Sequence, residues 1–423
     1  MAQIVGALAQ RGAQAVRELI LEDGLEQRNA RNVLIDGLGI GASAGIGTFL
    51  SIFLVRLGAS PLQIAMLTAM PALTGILLSL PLGQFLERQR NIVPWFSRSR
   101  ALVFVAYLLT GLIPLLVARE SLPAAIIFIW ALVTVPQTLV TLAFTMVIAA
   151  AVAPERRYWL LSWRWASMSA VMALTVMAVG WFLERVVFPL NYQLAFVAAF
   201  ACGVLSLFYS RRIVIPDNPV PEGEQLAAPW RTIRAALAEL RGLPEYMRFV
   251  GSSCVYYLGL MLALPIFPLF WVHELRASDF WIGLISTVST AVLLVGYFLW
   301  AALSRQRGPA FVLLVCSVGL GLYPLLAGLS QSVVPLLLFA ALGGLCAAGI
   351  DLVQFDLLLK TCPQRRSASY IALYRVAIYA ATFAGPLLGT VLAELMGLRG
   401  ALFASAGLRL LGALLFWTLR VGR

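Results

Sequence analysis

One carboxyl group of this chain, that of Asp351, lies deep inside an apolar segment. It is about twelve residues from Pro363 in the following loop, which corresponds to roughly 18 Å along a helix. Gln354 follows three residues later and shares its helical face. Because an isolated carboxylate in a low-dielectric environment can exchange a proton, we predict that Asp351 and Gln354 form a proton-coupling or substrate site.

Two acids and two bases, Asp36, Arg164, Asp356 and Arg375, fall within roughly one to three helical turns of loops predicted to be cytosolic. Charges at this depth are costly, so we interpret them as a cytosolic gate that pairs when the inner mouth closes. Static support of one state and arginines that snorkel to the surface are the alternatives. Asp356 also lies four residues before Lys360, a spacing typical of a structural ion pair.

A second set of cavity candidates consists of uncharged polar side chains near the middle of apolar segments: Ser43, Gln137, Thr141, Thr145, Tyr256 and Tyr257. Serine and threonine in membrane helices often bond to their own backbone instead of a solute. Gln137 follows Pro136, so its amide can also satisfy a freed carbonyl. The scarcity of polar groups favours an amphipathic or lipophilic cargo over a sugar-sized hydrophilic one.

The elements that must position these residues are membrane helices. Hydrophobic residues make up 61% of the 423 residues and charged residues 12%, about half the charge of a typical soluble domain. We predict an all-α integral membrane protein with twelve transmembrane helices in two pseudo-symmetric six-helix bundles. The predicted spans are 32–57, 62–86, 99–118, 122–152, 160–187, 190–210, 247–272, 279–304, 309–330, 333–361, 367–396 and 399–420.

The basic residues predict the orientation. When residues within two positions of a span end are counted with the adjacent loop, 23 of the 31 basic residues fall on one side, five on the other and three within spans. The positive-inside rule then places both termini in the cytoplasm of a multi-pass protein of the cell membrane. The net charge of +12 indicates anionic membrane lipids as neighbours, and nucleic acid is not needed to explain it.

Two short motifs occur twice. Ala153–Arg157 returns as Cys362–Arg366, and Leu86–Arg90 returns as Leu303–Arg307 at a similar separation. Paired halves of similar length are typical of secondary transporters.

The repeats and composition divide the chain into four predicted parts. These are a cytosolic segment (1–31), a first six-helix bundle (32–210), a cytosolic linker (211–245) and a second six-helix bundle (246–423). Apolar residues from Trp230 recur at helical spacing, so we expect an amphipathic surface helix in the linker.

The residue types exclude several chemistries. The five cysteines form no CxxC pair, and His273 is the only histidine. We therefore expect no disulfide, no catalytic residues, no metal site and no cofactor, and the chain is predicted not to be an enzyme.

Over almost its whole length the chain resembles the major facilitator superfamily. The signature of that family, G-x-x-x-D-R-x-G-R-R between the second and third spans, is partly matched by Gly83, Glu87 and Arg88, with Arg90 at the second glycine position. The resemblance implies that Glu87 and Arg88 latch the outward-open state. It also implies a cavity lined by the first, fourth, seventh and tenth spans, and Asp351 lies in the tenth. Alternatively, the loop arginines serve only to fix the topology.

A second motif of that family departs from its usual place. The Gly-Pro pair associated with antiport is absent from the fifth span, and Gly385-Pro386 lies in the eleventh instead. Antiport is therefore left open, because a proline with nearby glycines also bends a helix and permits close packing.

Three functions remain after this reasoning. The first is a secondary transporter of a small amphipathic or lipophilic molecule that works by alternating access, with possible proton-coupled efflux. The second is a lipid translocator, and the third is a transport-silent scaffold or assembly factor. The expected partners are a small-molecule substrate, protons and membrane lipids, and we expect a monomer.

Overall fold

The computed structural model describes residues 24–152, 154–216, 243–361 and 367–422. The first half contains α1 (Leu25–Gly47), α2 (Leu50–Arg56), α3 (Pro61–Glu87), α4 (Val93–Leu112), α5 (Leu122–Ala151), α6 (Pro154–Leu183) and α7 (Leu190–Ser210). The second half contains α8 (Pro244–Leu262), α9 (Ile266–Leu269), α10 (Asp279–Arg307), α11 (Pro309–Leu329), α12 (Val334–Thr361) and α13 (Ser367–Thr418). Most of the N-terminal segment and the predicted linker helix lie outside these ranges.

Within the described ranges, 11 stretches are long and apolar enough to cross a membrane. The last of them extends over 46 residues, about twice the length that one crossing needs. Gly397 divides it, with a φ of 75° that interrupts the helix. α13 therefore supplies two crossings, and the predicted fold class of twelve helices in two bundles is confirmed.

Local sequence signals fix several helix starts. Ser60 accepts a hydrogen bond from the Gln63 backbone N–H (3.3 Å) while the Gln63 side chain accepts one from the Ser60 N–H (2.9 Å). This capping box, with Pro61 in the first turn, satisfies backbone donors that would otherwise be unpaired at the start of α3. Gly308, with a φ of 84°, makes the short turn between α10 and α11.

The hydrophobic clusters show how the two halves meet. We call the membrane face that carries the α3–α4 loop the inner face, after the predicted orientation. Among the described residues, two hydrophobic clusters lie near that face. One consists of residues of the first half only, including Ala30 and Ile215. The other consists of residues of the second half only, including Tyr246 and Val421. The cluster near the outer face joins both halves, because it packs Phe49 and Phe53 with Ile282.

Close backbone contact reinforces the outer face. A Cβ atom added to Gly180 of α6 would lie 3.0 Å from the Asp279 carbonyl of α10, and one added to Gly283 would lie 3.0 Å from the Val176 carbonyl. Both positions are therefore tight for any larger residue. In the described part of the chain, the halves share a core at the outer face and keep separate cores at the inner face, so the outer face is closed.

Candidate functional site

A cavity of about 460 Å³ lies between the two halves. This volume is in the range of small-molecule sites. The first half contributes Ser51 of α2 and Ile64, Leu67 and Thr68 of α3. The second half contributes apolar and aromatic side chains from α8, α9, α11 and α12, together with two charged residues, Asp351 and Arg409.

Asp351 of α12 faces this cavity. Its side chain is accessible although it lies far from either end of the helix, because it borders the cavity. The hydroxyl of Tyr297 in α10 donates a hydrogen bond to its Oδ2 at 3.1 Å. One oxygen of the carboxylate is thus held in place, while the group remains accessible for a proton or a cationic solute.

Two predicted tyrosines, Tyr256 and Tyr257 of α8, also border the cavity. Tyr257 donates a hydrogen bond of 2.7 Å to Oε1 of Gln354, which is buried. Gln354 therefore supports the wall through Tyr257 and does not itself line the cavity. The Tyr256 hydroxyl is buried and has no hydrogen-bond partner.

Arg409, in the part of α13 that follows Gly397, is a site residue that sequence reasoning missed. The residue is 3% exposed, and its guanidinium group donates to the carbonyls of Leu320 (3.0 Å), Leu260 (3.3 Å) and Gly259 (3.4 Å). The signal was available, because a charged residue inside a membrane span calls for an explanation. Hydropathy does not show that it borders the same cavity as Asp351.

The remaining uncharged candidates are placed elsewhere. Ser43 is buried and donates to the carbonyls of Gly39 (3.0 Å) and Ala199 (2.9 Å), so its hydroxyl ties α1 to α7 and does not reach the cavity. Thr141 and Thr145 donate to carbonyls of their own helix at 3.0 and 2.7 Å. These two side chains and Gln137 are exposed on α5 and do not border the cavity.

The predicted inner charges include a buried cluster in the first half. Asp36 of α1 forms ion pairs with Arg100 of α4 and with Arg164 of α6, the latter at 3.4 Å. Ser206 of α7 donates to the same carboxylate at 2.6 Å. The aromatic ring of Phe144 lies 4.4 Å from the Arg164 guanidinium carbon. One carboxylate therefore connects four helices of a single bundle.

This cluster adds a residue to the predicted gate and changes its interpretation. Arg100, which was not among the predicted gate residues, is buried within α4, where Asp36 supplies a counter-charge. The Asp36–Arg164 pair is formed while the outer face is closed and lies within one half. It therefore does not by itself link the two halves across an inner gate.

The charges of the second half are more exposed. Asp356 pairs with Lys360 at 2.7 Å, as the four-residue spacing predicts. Arg375 is exposed on α13, and no described carboxylate is recorded within ion-pair distance of it. A gate made by Asp356 and Arg375 stays a prediction.

The α3–α4 loop motif lies at the inner face. Gly83 is in the last turns of α3, and a Cβ added there would meet nothing within 4 Å. Arg88 is the C-cap of α3 and is exposed, as is Arg90. The side chain of Glu87 lies outside the described part of the structure, as do those of residues 154–159, so the latch stays a prediction.

Arg56 and Asp279 form a pair between the halves that the sequence did not reveal. Arg56 at the end of α2 donates to Asp279 Oδ1 through Nε (2.8 Å) and Nη2 (2.6 Å), and to the Ala277 carbonyl at 3.1 Å. Glu184, directly after α6, accepts a hydrogen bond of 3.4 Å from the Phe280 N–H. Arg56, Asp279 and Glu184 border an outer depression of about 660 Å³. This depression is larger than the cavity that Asp351 borders. It lies at the outer surface, where the two halves are in contact, and charged surface residues line it.

Comparison with known proteins adds to this geometry. The sequence model described as the Major Facilitator Superfamily matches residues 249–423. The D-xylose-proton symporter superposes with a TM-score of 0.68 at 15% identity, over 93% of this chain and 97% of that one. A bacterial homologue of the iron transporter ferroportin, in an inward-facing state, gives 0.68 at 17% identity, over 93% and 98%. The second half of the chain therefore matches the sequence model of this family, and the solved structures share the fold of nearly the whole chain.

Curated relatives match shorter parts of the chain. The multidrug resistance protein MdtG of Proteus mirabilis is 27% identical over 153 residues, which cover 35% of this chain and 38% of that protein. The MdtG protein of Serratia proteamaculans is 27% identical over 178 residues, covering 40% and 43%. Each match therefore spans less than half of the relative. The solved structures above show the fold of this chain alone.

Proposed function

We propose that this chain is a secondary transporter that exports small amphipathic or lipophilic compounds from a bacterial cell by alternating access. The observation that carries the proposal is the cavity between the halves, whose aromatic and aliphatic walls enclose the Asp351 carboxylate. Apolar walls hold a lipophilic body by burying it, and a carboxylate in that setting attracts a cation. The MdtG relatives are named multidrug resistance proteins, which supports export of such compounds.

The closed outer face and the separate inner cores support the alternating-access part of the proposal. In this state a compound would reach the cavity from the cytoplasm, provided that both termini are cytoplasmic as the arginine distribution predicts. Opening of the outer contacts would then release it on the other side. The protein would act as a multi-pass transporter of the inner membrane, with protons as the coupling ion.

Asp351 is the group that we assign to coupling. When it is ionised it can hold a cation, and when it is protonated it loses that attraction, so a proton and a cationic cargo compete for one carboxylate. Such competition gives exchange of one for the other without a second site. Tyr297, bonded to Oδ2, keeps the carboxylate oriented toward the cavity in both cases.

Transport into proteoliposomes tests the proposal. Ethidium uptake should require an imposed pH gradient, and Asp351→Asn should abolish this requirement and reduce flux at least tenfold. Glu394→Gln, which removes an exposed carboxylate from α13 of the same half, is the matched control and should behave as the wild type. Undiminished, gradient-dependent flux in Asp351→Asn would refute the coupling role. Flux of a fluorescent phospholipid without ethidium flux would favour a lipid translocator, and no flux of either would favour a scaffold.

A further inference from the structure

We propose that Arg409 forms a second, anion-binding subsite in the same cavity, so that the preferred cargo is an aromatic amphiphile carrying both an ammonium and a carboxylate group. This inference rests on the proposed function and specifies its substrate class. Arg409 and Asp351 both border the cavity, but each has other partners, namely backbone carbonyls for Arg409 and Tyr297 for Asp351. The cavity therefore offers one positive and one negative group.

The charge of Arg409 is not balanced by a nearby acid. Its hydrogen bonds all go to neutral carbonyl oxygens, and its electrostatic neighbours are the phenols of Tyr256 and Tyr323. In the part of the chain that the structure describes, no carboxylate is recorded within ion-pair distance of it. A guanidinium group buried in a membrane protein without a counter-charge is costly, so a ligand that supplies a negative charge would be strongly favoured.

Arg409 also has unused hydrogen-bonding capacity. A guanidinium group carries five N–H donors, and the three carbonyl bonds of Arg409 use one each from Nε, Nη1 and Nη2. Two donors remain, one on each terminal nitrogen, and a carboxylate can accept from both terminal nitrogens of a guanidinium group. The Tyr256 hydroxyl and the Trp271 indole N–H, both at the cavity wall, are buried without partners and can add to the same subsite.

The packing around Arg409 also holds the group in place. A Cβ atom added to Gly259 would lie 3.1 Å from Cγ of Arg409, and one added to Gly321 would lie 3.4 Å from its Cβ. These glycines let α8 and α11 approach α13 closely enough for their carbonyls to accept hydrogen bonds from the guanidinium group. The rival interpretation is that Arg409 only fastens these helices together. That role requires donors but no charge, and it predicts no preference for anionic ligands.

Three fluorescent probes distinguish the two interpretations. Nα-dansyl-lysine carries an ammonium and a carboxylate, dansylcadaverine lacks only the carboxylate, and Nα-dansylnorleucine lacks only the ammonium. Titration of the purified protein in nanodiscs should give a Kd for Nα-dansyl-lysine about tenfold below those for the other two probes. Because this comparison uses the unmodified protein, it does not depend on whether any variant folds.

Variants then assign the effect. Arg409→Gln should remove the roughly tenfold advantage of Nα-dansyl-lysine over dansylcadaverine, while Arg409→Lys should retain part of the advantage. Arg305→Gln removes an exposed arginine of the same half and should change none of the three Kd values.

Several results would overturn the subsite. If Arg409→Gln weakened the binding of all three probes equally, Arg409 would only hold the helices together. If dansylcadaverine bound the wild type as tightly as Nα-dansyl-lysine or more tightly, the anion subsite would be refuted. The proposed function would be unaffected. If the wild type bound none of the probes, the subsite and the proposed function would fall together.

Discussion

Replacing Arg56 by glutamine should loosen the closed outer face. The arginine makes two bonds to Asp279 Oδ1, at 2.8 and 2.6 Å, and one to the Ala277 carbonyl. The Asp279 side chain is 8% exposed and would lose its counter-charge. Hydrogen bonds to charged groups contribute about 1.5–3 kcal/mol, and the 28% exposure of Arg56 favours the lower part of that range, about 2 kcal/mol. A change of about 2 kcal/mol raises the population of the open outer face about 30-fold.

Hydrogen exchange measured by mass spectrometry in nanodiscs can detect this change. The peptide covering residues 266–282 forms part of the outer contact, so its slowest amides should exchange about 30-fold faster in Arg56→Gln if opening limits their exposure. Arg119→Gln is the matched control, because Arg119 borders the same outer depression without a recorded hydrogen bond or ion pair. Unchanged exchange in Arg56→Gln, or equal acceleration in Arg119→Gln, would refute this assignment.

Three further substitutions test the packing. Asp36→Asn leaves two buried guanidinium groups without their carboxylate and should cost about 3–5 kcal/mol, seen as a large drop in Tm in detergent; an unchanged Tm would contradict the cluster. Gly412→Ala places a Cβ 2.7 Å from the Cβ of Tyr256 and should lower the free energy of unfolding by about 1–3 kcal/mol. Its control is Gly407→Ala, whose Cβ meets nothing within 4 Å and which should leave the Tm unchanged. Lys360→Gln breaks an exposed helical pair and should change stability by less than about 0.5 kcal/mol, so a larger loss of Tm would show a wider role.

Much of the fold follows from one-dimensional patterns. Apolar segment length locates the crossings, and the break between the last two was predicted close to Gly397, where the structure turns. The four-residue spacing of Asp356 and Lys360 likewise predicts their pair. These features depend on neighbours along the chain, which a sequence displays directly.

The site was harder to predict because it depends on which helix faces which. Arg56 and Asp279 are 223 residues apart, and Asp36 and Arg100 are 64 apart, so periodicity carries no information about either contact. Asp351 could be identified because a carboxylate in an apolar segment is conspicuous. The prediction for Ser43 was wrong because hydropathy does not distinguish a polar group that faces a cavity from one that bonds to a neighbouring backbone.

Reversible fixation of the outer face tests most directly whether the two halves must move apart there during transport. Cysteines at Glu184 and Phe280, whose native contact crosses the halves, can be joined by a short bifunctional methanethiosulfonate reagent. Each single-cysteine variant, and the protein with its native cysteines alone, serve as controls. Ethidium flux into proteoliposomes should stop when the halves are joined and return when a reducing agent releases them. Undiminished flux through the joined protein would contradict alternating access in this chain.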